Sequence, residues 1–151
     1  MHTLSGGQAS ASNQRPQLEL PEMDEQHRYL YQVFDYLLMP SVKADTRATK
    51  RVLDEIERAV LFHFASEQDL MRRYAFPGFA VHQSDHEAAE SRIVDFLDDV
   101  ETGRFDAGAL HYFLTTWLAE HSLISDSEYV AWIKQRRAEV VNPSMQWPPS
   151  R

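Results

Sequence analysis

No cysteine occurs among the 151 residues of the chain. This absence excludes disulfides, thiolate zinc sites and cysteine-ligated iron–sulfur clusters. No apolar run is long enough to span a bilayer. The opening stretch MHTLSGGQASASNQRPQLELP also lacks the apolar segment of a secretory signal. The sequence therefore predicts a soluble cytoplasmic protein.

Positive charge is also scarce, since 15 Lys and Arg face 23 Asp and Glu for a formal net charge of -8. This balance argues against nucleic acid or an anionic membrane as a partner. The 43% of hydrophobic residues is ordinary for a globular protein, and the length suits one domain with a sizeable core. We predict a flexible leader over residues 1–20, a folded domain over 21–140 and a proline-rich tail over 141–151.

Apolar residues recur at steps of three and four in four segments, and no segment alternates with period two for long. The predicted helices run from an N-cap at Asp24 to before Pro40, from Asp45 or Thr46 to about Tyr74, from Phe79 to Val100, and from Asp106 to Val140. Short connections between four amphipathic helices predict an all-α, up-down-up-down bundle.

Polar side chains interrupt the apolar faces of the two middle helices. His63 and Glu67 are four residues apart, as are His82 and His86. Residues four apart on a helix are separated by about 40° and roughly 6 Å along the axis, so each pair points into the same space. Because an unpaired buried ion costs several kcal/mol, these side chains either face water or bind something.

The outer helices supply further polar residues, namely His27 in the first helix and His121 and Asp126 in the fourth. Imidazole and carboxylate ligands without thiolate suit iron or manganese. Two octahedral metals have about twelve ligand positions. Five histidines would fill five positions, two bridging carboxylates four, and one bridging solvent oxygen two. The one remaining position leaves room for one diatomic ligand.

These seven residues occur in the order and at the spacing of a known family. The chain resembles the single-domain bacterial hemerythrins, whose pattern is His in the first helix, His-x3-Glu in the second, His-x3-His in the third and His-x4-Asp in the fourth. The resemblance covers about residues 20 to 135. The Phe after His63, the Pro between the middle helices and the Tyr three residues after Asp126 also match.

The resemblance implies a di-iron centre that binds O2 reversibly for storage, delivery or buffering. His82, His86 and His121 would hold one iron, and His27 and His63 the other, which keeps the open position. Glu67, Asp126 and a solvent-derived oxygen would bridge the two irons. Residues at the positions that line the O2 pocket in this family are Leu30, Phe64, Trp117, Leu118 and Ser122.

The resemblance leaves two other functions open, namely O2 or redox sensing through a partner, and an enzyme that reduces O2, peroxide or nitric oxide. No output domain is recognisable in the sequence, which disfavours sensing. No second substrate pocket or proton relay is evident, which disfavours catalysis. We therefore expect an O2-binding protein that is not an enzyme, has no membrane span and acts as a monomer.

Three positions carry further predictions. His121 and Asp126 are five apart, about 140° around an α-helix, so either Asp126 reaches round from the flank or, as we expect, the turn widens into a π-bulge. Ser122 stands where the family usually has an apolar residue, and it either opens the pocket or bonds back to a carbonyl of its own helix. His111 and His2 match no ligand position, and we expect both to be solvated.

Overall fold

The computed structural model describes residue 18 and residues 20–141, with side chains through residue 139. Most of the predicted leader, including His2, and the predicted tail from residue 142 lie outside the described residues. In chain order the helices are α1 (Pro21–Asp35), a 3₁₀ turn (Tyr36–Leu38), α2 (Pro40–Lys43), α3 (Thr46–Arg73), α4 (Phe79–Glu101), α5 (Ala107–His121), a π-helical turn (Ser122–Asp126) and α6 (Ser127–Val141).

The described residues form an all-α bundle without strands, which confirms the predicted fold class. Its four long helices are α1, α3, α4 and the continuous helix made of α5, the π turn and α6. α1 packs against α3 and α5, and α4 packs against α3 and α5. Short connections between these neighbours produce the up-down-up-down order.

Local capping explains where two of the helices begin. The Asp45 carboxylate accepts a hydrogen bond from the Arg47 N–H at the start of α3, and Asp106 accepts one from Ala109 at the start of α5. Each satisfies a backbone N–H that has no partner within its helix. Gly103 follows α4 with a φ of 74°, a conformation that glycine adopts without a steric penalty.

The predicted N-cap at Asp24 is wrong. α1 begins at Pro21, and its N-cap residue is Leu20, four positions before Asp24. Proline is well suited to the first helical position because its missing N–H would have no helical partner there. The Asp24 carboxylate instead accepts a 2.7 Å hydrogen bond from the Leu18 N–H. This contact holds the preceding segment against the bundle, and Leu18 and Leu20 are both buried.

Two apolar clusters fill the interior. We call the first the large core, and its most buried members include Leu30, Val33, Leu37, Ile56 and Leu110. The second, the small core, consists of Leu18, Leu20, Met23, Leu70, Met71, Tyr129, Val130 and Ile133. Along each long helix, the polar positions singled out from the sequence lie between the residues of these two cores.

Polar contacts join the first and last long helices at both ends. Arg137 donates a 2.7 Å hydrogen bond to Glu22. His111 Nε2 lies 2.9 Å from an oxygen of Asp35, and the His111 side chain is only 20% exposed. His111 therefore lies outside the ligand layer, as expected, but it is only partly solvated. Within the described residues, no helix is both long and apolar enough to cross a membrane.

Candidate metal centre

The bundle brings all seven polar residues that the sequence singled out into one buried layer. None is more than 6% exposed, and Glu67, His86 and Asp126 have no exposed surface. The contributors are His27 from α1, His63 and Glu67 from α3, His82 and His86 from α4, His121 from α5 and Asp126 from the π turn. Every long helix of the bundle therefore supplies at least one of these side chains.

Glu67 faces histidines on both sides of this layer. Its Oε1 contacts His63 Nε2 and lies 4.0 Å from His27 Nε2. Its Oε2 lies 2.9 Å from His82 Nε2 and 3.8 Å from His86 Nε2. One carboxylate thus presents a separate oxygen to each of two groups of imidazoles.

Asp126 repeats this arrangement from the fourth helix. Its Oδ1 lies 3.0 Å from His82 Nε2 and 3.1 Å from His121 Nε2, and its Oδ2 lies 3.6 Å from His27 Nε2. The two carboxylates therefore approach the same two groups of histidines from different helices.

The ligand atoms form two sets, in each of which all the atoms lie within 4.8 Å of one another. One set contains Glu67, His82, His86 and His121, and the other contains His27, His63, Glu67 and Asp126. Glu67 belongs to both. The division of the histidines into three and two is the division that the family resemblance implies.

The atoms of this layer are poorly satisfied by one another. Both oxygens of Asp126, Oε1 of Glu67 and Nε2 of His86 are buried without a hydrogen-bond partner among the described residues. The Nε2 atoms of His27 and His63 approach to 3.0 Å, and those of His82 and His121 to 2.9 Å. Buried polar groups without partners are costly, and cations between these atoms would satisfy them. The donor set of imidazoles and carboxylates fits iron or manganese.

The charges of the layer follow from burial and from close contacts. Burial alone would raise the pKa of Glu67, but the nearby imidazoles of His63, His27 and His82 hold it well below its usual range. Burial alone would lower the pKa of His82, but Asp126 and Glu67 raise it to about 9. Burial lowers the pKa of His86 to about 3, so this ring is neutral, whereas His82 would lose its proton when a cation binds.

The predicted π-bulge in the fourth helix is confirmed, since Ser122–Asp126 is π-helical between α5 and α6. Hydrogen bonds in a π-helix join residues five apart, so residues at this spacing lie one above the other. His121 and Asp126 can therefore face the same layer, although an α-helix would turn them about 140° apart.

Two glutamines contact the outer nitrogens of ligand-layer histidines. His63 Nδ1 lies 2.8 Å from Gln26 Oε1, and His86 Nδ1 lies 2.9 Å from Gln68 Oε1. Sequence reasoning assigned neither residue a role in the site. The only signal in the sequence is adjacency, since Gln26 precedes His27 and Gln68 follows Glu67.

Aromatic rings hold the histidines from the side of the large core. Phe64 stacks on His86 with ring centroids 3.9 Å apart, and Trp117 stacks on His121 at 4.4 Å. On the side of the small core, Tyr129 packs edge-on against His82 at 5.3 Å. Burial, together with the nearby carboxylates of Glu67 and Asp126, raises the pKa of Tyr129 far above its usual value.

Four of the five predicted pocket residues, namely Leu30, Phe64, Trp117 and Leu118, line one small apolar cavity. The free volume of this cavity is about 10 Å³, which is about the volume that one water molecule needs. A diatomic molecule is of similar size.

Ser122 is not among the residues that line this cavity. It is 1% exposed, and its hydroxyl has no hydrogen-bond partner among the described residues. The alternative in which Ser122 bonds back to a carbonyl of its own helix is therefore wrong. Ser122 directly follows His121 in the chain, and its hydroxyl is buried without a partner among the described residues.

Comparison with known proteins agrees with this geometry. The family model described as hemerythrin HHE cation binding domain matches residues 19–133. The chain is 27% identical to a bacteriohemerythrin of Stenotrophomonas maltophilia over 74% of this chain and 73% of that protein. It is 24% identical to one of Pseudomonas aeruginosa over 79% and 78% of the two chains, and 23% identical to one of Clostridium acetobutylicum over 76% and 93%.

No solved structure matches the chain significantly. The family match covers more than half of the chain and includes all seven residues of the buried layer. The chain belongs to the hemerythrin family.

Proposed function

We propose that this protein binds O2 reversibly at a pair of iron ions. His82, His86 and His121 would hold one iron, His27 and His63 would hold the other, and Glu67, Asp126 and a solvent-derived oxygen would bridge them. The observation that carries this proposal is the placement of the two carboxylates, because each offers one oxygen to each group of histidines. Membership of the hemerythrin family supports a di-iron O2-binding protein.

The number of ligands supports O2 as the molecule that binds. Two six-coordinate metals have about twelve ligand positions. Five imidazole nitrogens and four carboxylate oxygens would fill nine of them, and a shared solvent oxygen would fill one position on each metal. One position is left open. Iron supplies the redox chemistry that O2 binding requires, and the chain holds the ligands and keeps water out. The apolar cavity lined by Leu30, Phe64, Trp117 and Leu118 has room for a molecule of diatomic size.

Storage, delivery and buffering of O2 all use this reversible step. Reconstitution under anaerobic conditions with Fe²⁺, exposure to air and degassing test it directly. We expect two irons per chain and a visible absorption band that appears in air and disappears on degassing. Repeated cycles with a reductant present should consume O2 no faster than the band decays, whereas sustained turnover would favour an enzyme.

A matched control uses a histidine outside the layer. His111→Gln should bind two irons and cycle like the parent, because His111 pairs with Asp35 on the bundle exterior. Loss of the band in His111→Gln, or one iron or fewer in the parent, would contradict the proposed site.

A further inference from the structure

One glutamine serves each of the two sets of ligand atoms. Gln26 on α1 contacts His63 on α3, and Gln68 on α3 contacts His86 on α4. Each contact therefore joins two neighbouring helices directly behind the ligand layer. The two contacts have nearly equal lengths, 2.8 and 2.9 Å, so the arrangement repeats at both metal positions.

These contacts determine which ring nitrogen carries the proton. The Nε2 atoms of His63 and His86 both face Glu67, so a metal held in this layer would bind each ring through the Nε2 lone pair. The proton of a neutral ring is then on Nδ1, and Nδ1–H donates to the glutamine oxygen. Each glutamine thereby fixes both the tautomer and the orientation of its histidine.

The acceptor in both cases is a neutral amide. A carboxylate in the same place would draw the Nδ1 proton more strongly, make the ring a more basic ligand and add negative charge near the metals. Both effects favour the ferric state, which carries more positive charge. An amide orients the ring without this bias.

We propose that Gln26 and Gln68 are positioning residues that favour the ferrous state of the two metal positions, by giving His63 and His86 a neutral hydrogen-bond acceptor. The inference rests on the proposed function, because it concerns iron in the same site. It adds that the two glutamines tune the balance between ferrous and ferric iron, which determines how long the protein remains able to bind O2.

The two glutamines differ in their surroundings. Gln26 and His63 line an outer cleft of about 590 Å³ whose walls also carry Glu22, Glu25 and Glu55. His86 is completely buried beneath Phe64. Gln26 and Gln68 are themselves both half-buried, so a charge introduced at either residue is only partly screened by solvent. Substitution of either glutamine should therefore have a measurable effect.

The test compares Gln68→Glu, which keeps the size of the side chain, with Gln83→Glu. Gln83 follows His82 on α4, so this control adds the same charge beside a ligand-bearing turn at a residue that contacts neither His63 nor His86 through a hydrogen bond. We expect Gln68→Glu to favour ferric iron by roughly tenfold, a fall of about 59 mV in a one-electron midpoint potential. Gln26→Glu should shift the potential in the same direction, and Gln83→Glu should shift it less than either.

A second measurement follows the ring proton itself in zinc-loaded protein, since Zn²⁺ accepts the same nitrogen and oxygen ligands. In the parent, the Nδ1–H protons of His63 and His86 should give exchange-protected NMR signals. Gln68→Leu should lose the signal of His86, keep that of His63 and bind Fe²⁺ about 10- to 100-fold more weakly.

Equal midpoint potentials in Gln68→Glu and Gln83→Glu would overturn the inference, as would a protected His86 signal in Gln68→Leu. Either result, obtained in variants that bind two irons and O2, would leave the proposed function intact. A parent chain that binds no iron pair would instead contradict the proposed function, and the His86 signal would still show whether Gln68 fixes its tautomer.

Discussion

The large core and the ligand layer are equally well buried, but they are satisfied in different ways. Leu37 and Leu110 in the large core are completely buried, and they need only neighbours of the right shape. Glu67 and Asp126 in the ligand layer are also completely buried, yet they keep oxygens without hydrogen-bond partners. The large core is complete within the chain, whereas the ligand layer is complete only with cations.

The stability of the two regions should therefore respond differently to the same treatment. Apolar burial stabilises the folded chain under all conditions in which water is the solvent. The ligand layer stabilises the folded chain only when metal is bound. Metal that binds the folded state but not the unfolded state increases the free energy of unfolding. The following experiments separate the two contributions, beginning with the largest.

Removal of iron should have the largest effect. At free iron 1,000-fold above its dissociation constant, binding adds about 4 kcal/mol to the free energy of unfolding. For a domain of this size that corresponds to a rise of roughly 8 to 16 °C in Tm. Calorimetry of iron-loaded and stripped protein measures the difference, and equal melting temperatures would argue against a metal site in the buried layer.

Substitution within the layer should show which ligand serves both metals. Glu67 presents an oxygen to each group of histidines, whereas His27 belongs to one set only. We expect Glu67→Ala to hold fewer than two irons per chain. His27→Ala should retain some iron but form no stable O2 complex. Iron counts per chain and the visible band in air measure these differences between the two variants. Two irons per chain in Glu67→Ala would exclude Glu67 as a bridge.

A substitution that leaves a cavity in the large core should lower stability without affecting the ligand layer. Leu110→Ala should lower the free energy of unfolding by about 2 to 5 kcal/mol, because it removes a completely buried side chain. The loss should be the same with and without iron, and two irons per chain should still bind. Urea melts of both forms test this, and a loss confined to the iron-loaded form would show that the two regions are coupled.

Substitution of Ser122 should have the smallest effect, since Ser122 follows a ligand-layer residue in the chain but does not line the apolar cavity. If its hydroxyl, which has no partner among the described residues, reaches the metal site, it would attract water or supply a proton, and both would promote the loss of bound O2 as peroxide. We expect the O2 complex of Ser122→Ile to decay a few-fold more slowly than that of the parent, an effect on the order of 1 kcal/mol.

Ser122→Ala separates the hydroxyl from the volume, since Ile also adds bulk to a packed position. Slower decay in both variants would assign the effect to the hydroxyl, and slower decay in Ser122→Ile alone would assign it to the open space. An O2 complex that decays equally fast in Ser122→Ile and the parent would show that Ser122 does not control access to the irons.

Much of this molecule follows from local spacing. Steps of three and four place His63 beside Glu67 and His82 beside His86 on any helix, and short connections require neighbouring helices to be antiparallel. The five-residue step from His121 to Asp126 indicated a widened turn, because no regular α-helix directs both residues to one place. These features depend on residues close together in the chain, so the sequence alone was sufficient to predict them.

Only the tertiary structure decided how distant residues meet. Gln26 and His63 are 37 positions apart, and Leu18 and Leu20 are buried beside residues of α3 and α6. No local periodicity carries such contacts, because they depend on the rotation and depth at which whole helices pack. The start of α1 was missed for a local reason, since Pro21 begins the helix and Asp24 accepts a hydrogen bond from the Leu18 N–H instead of capping it. The sequence by itself determined which side chains face inward, and packing determined which atoms of those side chains meet.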